Sequence, residues 1–177
     1  MTSRIAVVMV HTSPLEQPGI GDAGGMNIYV AESAKRIAES GIKVDIFTRK
    51  LSDNDPKWVD FAPGVRICNL DILVSAKKEE IPNLIPSIGN ELTNLLRNEK
   101  YDLIHSHYWI SGRVSMVAAK ELQIPLVHTM HTMGRVKNAS LAEGENAEPM
   151  TRIQGETQIV EAADALIANT DAEAASL

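Results

Sequence analysis

The residue types that could do chemistry in this 177-residue sequence gather in three short segments and a scatter of basic side chains. The first segment, Gly19-Ile20-Gly21-Asp22-Ala23-Gly24-Gly25-Met26-Asn27, sets glycines directly before a helical pattern. Glycine lets backbone come close to a ligand, and the free N–H groups of a helix start attract an anion. The spacing is not the dinucleotide fingerprint, and no Gly-Lys-Ser/Thr follows, which excludes a P-loop. The second segment, His105-Ser106-His107-Tyr108-Trp109, puts two histidines on one side of a strand pattern. That pairing is compatible with a metal, with hydrogen-bonded strand-end histidines, or with ligand contact by His107 or Tyr108. No Asp, Glu or Cys stands nearby in sequence as an obvious third metal ligand. The third segment, His128-Thr129-Met130-His131-Thr132, places His131 just past a strand, whereas His128 reads as core. Taken alone, His131 reads as structural. Lys77, Lys78, Arg135, Lys137 and Arg152 could surround an anionic ligand, arginine being suited to two phosphate oxygens at once. Each taken singly is equally a solvated surface charge. Cys68 reads as a small buried apolar residue within a strand. No Ser-His-Asp order, nucleophile elbow or zinc-protease helix is visible.

These segments need a scaffold, and the hydrophobic periodicity supplies one. Ile5–Val10 is a continuous apolar run, as a strand covered on both faces should be. Further strands are expected at Val44–Thr48, Val65–Asn69, Leu103–His107, Pro125–Thr129 and Ala165–Asn169. Between them, helical stripes predict helices over Met26–Ser40, Leu84–Arg97, Ser111–Leu122 and Arg152–Ala163, with Thr170 or Asp171 capping another. Leu51–Pro63 reads as a surface excursion. Alternating strands and helices imply an α/β fold: Rossmann-like, a mainly parallel sheet with helices on both faces. In such folds ligands bind outside the carboxyl ends of the strands, which is where all three segments fall.

Composition narrows the class further. The chain has 44% apolar and 23% charged residues, near the averages of globular domains, which excludes a disordered or fibrous chain. A formal net charge of −6 argues against a nucleic-acid-binding domain held by a basic face. One cysteine excludes an internal disulfide and a Cys-based zinc site. No run approaches the length of a membrane span, and the start lacks signal-peptide character. A single cytoplasmic domain over residues 1–177 is expected.

Together, His11-Thr12-Ser13-Pro14-Leu15, Gly21-Asp22-Ala23-Gly24-Gly25-Met26-Asn27, His105-Ser106-His107-Tyr108-Trp109, His128-Thr129-Met130-His131-Thr132 and Arg152-Ile153-Gln154-Gly155-Glu156 carry a resemblance. The series resembles the N-terminal half of retaining GT-B glycosyltransferases of the sucrose-synthase-like class. Within that class it is most similar to the branch that glycosylates D-inositol 3-phosphate in mycothiol biosynthesis, and Gly-Gly-Met-Asn is its most specific part. The resemblance implies an acceptor-binding domain whose partner, the C-terminal nucleotide-sugar domain, lies outside this chain. The lysine and two glutamates that the family uses on the donor would be absent with it. It further implies transfer of GlcNAc from UDP-GlcNAc to 1D-myo-inositol 3-phosphate. A related transferase with another acceptor, or a non-catalytic domain binding a phosphorylated ligand or a partner chain, are the alternatives. By the same resemblance Gly24 and Gly25 would face the donor diphosphate, and His131 would contact the donor sugar as the catalytic residue. Asn27, Lys78, Tyr108, Thr132 and Arg152 would surround the acceptor, the last four on its phosphate, with Lys77 an adjacent rival to Lys78. The leaving phosphate would itself take the acceptor's proton, so no carboxylate base is required, unlike the paired carboxylates of glycosidases. No cofactor or metal is expected, nor any nucleic-acid partner. An exposed cleft face makes a homo-oligomer an expectation for the isolated domain.

Overall fold

A computed structural model describes residues 3–17, 19 and 23–177 of the chain; Ile20, Gly21 and Asp22 of the glycine segment lie outside the described residues. The elements follow in the order β1 (Arg4–Met9), α1 (Gly25–Glu39), β2 (Lys43–Arg49), β3 (Trp58–Ala62), β4 (Val65–Leu70), α2 (Ile85–Arg97), β5 (Leu103–His107), α3 (Trp109–Leu122), β6 (Leu126–Thr129), α4 (Gly134–Ala139), α5 (Met150–Ala162), β7 (Ala165–Ile167) and α6 (Asp171–Ser176). One sheet takes the strands in the order β3-β4-β2-β1-β5-β6-β7. Every neighbouring pair is parallel except β3 with β4. The expected mainly parallel α/β sheet is therefore present.

The strand period of two explains the layers. In β1, Ala6 and Val8 pack with Phe47, Leu92, Ile104, Ile110 and Val114, against α2 and α3. Val7 and Met9 point the other way and meet Val30 and Ala34 of α1, with Ile46 and Ile67. Both faces of the central strand are thus buried, as its unbroken apolar run requires. Among the described residues, no helix is long and apolar enough to cross a membrane.

The reading of Leu51–Pro63 as a surface excursion needs correction. Trp58–Ala62 forms β3, antiparallel to β4 at the edge of the sheet. Its side chains are only partly buried, so the strand carries little of the hydrophobic signal by which strands are read. Trp58 instead lies under the Arg66 guanidinium, 4.6 Å from its ring centroid. The six-residue helix α4, also absent from the sequence reading, is too short to show a periodic stripe.

Candidate functional site

The carboxyl ends of β1, β5 and β6 converge beside the start of α1. Leaving β1, His11, Thr12 and Ser13 are all buried. Asn27 on α1 ties them down: its amide donates to Thr12 Oγ1 at 2.8 Å and to the Ser13 carbonyl at 2.7 Å, and its Oδ1 accepts the Gly24 N–H. Both donors of Asn27 are therefore spent within the protein, and the residue is 2% exposed. Among the described residues, a Cβ built on Gly24 or Gly25 would meet no atom within 4 Å. The open space lies where α1 presents first-turn N–H groups that lack intrahelical acceptors.

Tyr108 is the hub of the site. It stands between β5 and α3 with φ of 69°, a left-handed backbone that costs a residue with a Cβ about 1–3 kcal/mol. The turn is held from both sides: its N–H donates to the Thr129 carbonyl, and its own carbonyl accepts from Gly112. Its ring centroid lies 4.4 Å from that of His11, 5.2 Å from Lys78 Nζ and 4.9 Å from Arg152 Cζ. The ring thus gathers two cations from distant parts of the chain, an arrangement the ring quadrupole favours.

Arg152, on α5, is 2% exposed. Its Nη2 donates to the carbonyl and hydroxyl of Thr132, its Nε to Glu156, and its Nη1 pairs with Glu148 at 2.9 Å. Glu156 is fixed in turn by accepting the Gly134 N–H on both oxygens. Lys78 lines a pocket of about 410 Å³ with His11, Glu16, Arg49, Lys50 and Lys77. Arg49 anchors the loop ahead of Lys78 by donating to the carbonyls of Leu73, Val74 and Ala76. Two larger hollows, of about 540 and 480 Å³, lie at the amino ends of the strands, away from these groups. In the larger one, the buried Asp45 carboxylate is already used by Arg4, Arg66 and Tyr101.

His131 also has a left-handed backbone, with φ of 62°. Its Nε2 shares a hydrogen bond of 2.9 Å with His107 Nδ1, and its ring packs edge-on against Tyr29. Burial holds the His131 imidazole down to about 4 and that of His107 well below the ordinary value, so this is a pair of neutral rings. His11 is held at about 3 by burial and by the nearby cations, Lys78 foremost. Behind them, His105 Nε2 bonds Thr129 Oγ1 at 2.9 Å and Ser106 Oγ bonds His128 Nδ1 at 2.7 Å. His128 is wholly buried, as read from the sequence.

Of the residues singled out in the sequence, Lys78, Tyr108, Thr132 and Arg152 come together, and Gly24, Gly25 and His131 border the same strand ends. Lys137 reaches the cluster only through its ion pair with Glu148, and Arg135 lies in a separate groove between α4 and α5. Sequence reading passed over Arg49 and Glu148, and gave His11 and Glu156 no site role beyond their place in the motifs of the resemblance. For Arg49 and His11 a signal existed: each sits at the carboxyl end of a strand. Glu148 carries none beyond its i,i+4 spacing from Arg152, a spacing that Glu156 shares.

A Rossmann-like sheet with an anion-ready cleft at its strand ends is the architecture of one half of a GT-B glycosyltransferase. Residues 23–177 match Glycosyltransferase Family 4, and the chain belongs to that family. It is closely related to the D-inositol 3-phosphate glycosyltransferase of Nocardiopsis dassonvillei, with 50% identity covering 99% of this chain and 42% of the relative. The corresponding protein of Thermobifida fusca is 51% identical, covering 98% of this chain and 41% of its own length. The chain thus spans about two fifths of the length of these curated relatives. Among solved structures, sucrose-phosphate synthase from Thermosynechococcus elongatus superposes with a TM-score of 0.92 at 32% identity, over 99% of this chain and 44% of that one. UDP-GlcNAc 2-epimerase from Neisseria meningitidis, at 13% identity and a TM-score of 0.61, shares the fold alone.

Proposed function

We propose that this domain forms the acceptor side of a retaining glycosyltransferase that moves GlcNAc from UDP-GlcNAc to 1D-myo-inositol 3-phosphate. The observation that carries the reading is the convergence of Lys78 and Arg152 on the Tyr108 ring, with Thr132 bonded to Arg152. Three donor groups from separate elements meet there at the mouth of the sheet, which suits a phosphate monoester. Relatedness to enzymes named for D-inositol 3-phosphate supports the choice of acceptor. The 32% identity to a sucrose-phosphate synthase keeps a different phosphorylated acceptor as the second reading.

In this reading the donor diphosphate faces the N-terminus of α1. The Gly24 N–H is spent on Asn27, so Gly25 presents backbone to the leaving group, and Asn27 positions the loop rather than touching the acceptor. Breaking a sugar–diphosphate bond builds negative charge on the leaving group and positive charge at the anomeric carbon. Helix-end N–H groups fixed in advance stabilise the first of these. His131, neutral and bonded through Nε2, keeps Nδ1 for a sugar hydroxyl. The acceptor's proton leaves with the departing phosphate.

The test is selectivity. Charge-assisted hydrogen bonds contribute about 1.5–3 kcal/mol each, so inositol 3-phosphate should bind at least ~10-fold tighter than inositol. Lys78→Ala should remove part of that preference. Calorimetric titration of both ligands decides it, and equal affinities sink the acceptor assignment.

A further inference from the structure

Arg152 presents a difficulty that the phosphate reading must solve. A guanidinium that is 2% exposed cannot meet a ligand unless one of its present partners leaves. Nε is committed to Glu156, which two bonds from Gly134 hold in place on α5. Nη2 is committed to Thr132 on both of its hydrogens. Nη1 pairs with Glu148, which unlike Glu156 lies outside a helix, in the connection between α4 and α5.

Glu148 occupies the place an anionic ligand would take. Its carboxylate bridges two cations, Arg152 and Lys137, and its side chain is 19% exposed. Its backbone is fixed independently: the N–H donates to Asn138 Oδ1 at 2.7 Å and the carbonyl accepts from Asn138 Nδ2 at 3.2 Å. The carboxylate can therefore swing out by side-chain rotation while the chain around it stays. We infer that Glu148 is a resident anion in the phosphate seat, displaced from Arg152 Nη1 when a phosphate monoester binds. The inference rests on the acceptor reading above and deepens it, since Glu148 then sets how strongly a phosphorylated ligand must bind to enter.

The consequence is one-sided. A ligand that uses the seat must displace Glu148, whereas one without a phosphate need not. Removing the carboxylate should tighten inositol 3-phosphate and inorganic phosphate and leave inositol unchanged. The gain expected for Glu148→Gln is about tenfold, the worth of one charge-assisted hydrogen bond. The experiment titrates the 177-residue chain, E148Q and E148A with inositol 3-phosphate, inorganic phosphate and inositol. Thermal melting confirms that both variants fold. Tighter phosphate binding in both variants, with inositol unmoved, supports the inference. Unchanged or weaker phosphate binding overturns it and leaves the acceptor reading standing. If inorganic phosphate tightens while inositol 3-phosphate binds no better than inositol, Glu148 keeps its role and the acceptor reading falls. Absence of phosphate binding to all three proteins overturns both.

Discussion

Asn27 ties the end of β1 to the start of α1 with a single side chain. Its three hydrogen bonds satisfy Thr12, Ser13 and Gly24, and two of these partners are fully buried. Asn27→Ala would remove all three bonds at a cost of roughly 2–4 kcal/mol, at about 0.5–1.5 kcal/mol per bond, the Gly24 N–H losing its partner while Thr12 Oγ1 and the Ser13 carbonyl keep Glu16. The urea midpoint should fall accordingly, and a variant as stable as the parent would show that the clip is dispensable. The asparagine was legible in the sequence as a site residue; its inward use was not. A side chain beside a glycine segment reads as ligand-facing, and only the path of the chain reveals that Thr12 and Ser13 return beneath it. Arg152 repeats the lesson, its suitability for phosphate being visible and its burial between two glutamates not.

Elements were legible in proportion to their apolar periodicity. The inner parallel strands and long helices are buried along continuous faces, so their signal is strong, and their limits differ from expectation by only a few residues. β3 and α4 escaped because their stability is borrowed, β3 from pairing with β4 and α4 from Glu156 at its first N–H. Packing between elements makes its own prediction at Gly112 on α3. A Cβ there would lie 2.5 Å from Ile159 Cδ1 and 2.8 Å from His128 Cε1. The isoleucine tip can yield, but the His128 ring is pinned by Ser106 and cannot. Gly112→Ala should therefore cost about 1–3 kcal/mol by overpacking the junction of α3, α5 and β6. Chemical denaturation would measure it, and an undiminished midpoint would mean this junction is looser than the contacts imply.

Across the whole molecule, the buried histidines tie stability to pH. Burial holds His11 and His128 at about 3 and His105 and His131 at about 4, all below the ~6.5 of an unfolded chain. Between those limits the unfolded state binds more protons. Stability is thus full above ~6.5 and declines as pH falls toward about 4, by roughly 1.4 kcal/mol per pH unit for each histidine. Urea unfolding at pH 7.5 and pH 5 should show the loss, and a flat profile would contradict neutral burial. The polar bonds between β5 and β6 have another effect. Ser106 lies opposite His128 in the sheet and bonds it, while His105 reaches Thr129 on the other face. Sliding one strand past the other by one residue would turn every side chain to the wrong face and strand these groups against hydrocarbon. An all-apolar pair of strands would tolerate such a slip far more readily. The two bonds therefore favour the one alignment that delivers Tyr108 and His131 to the same rim.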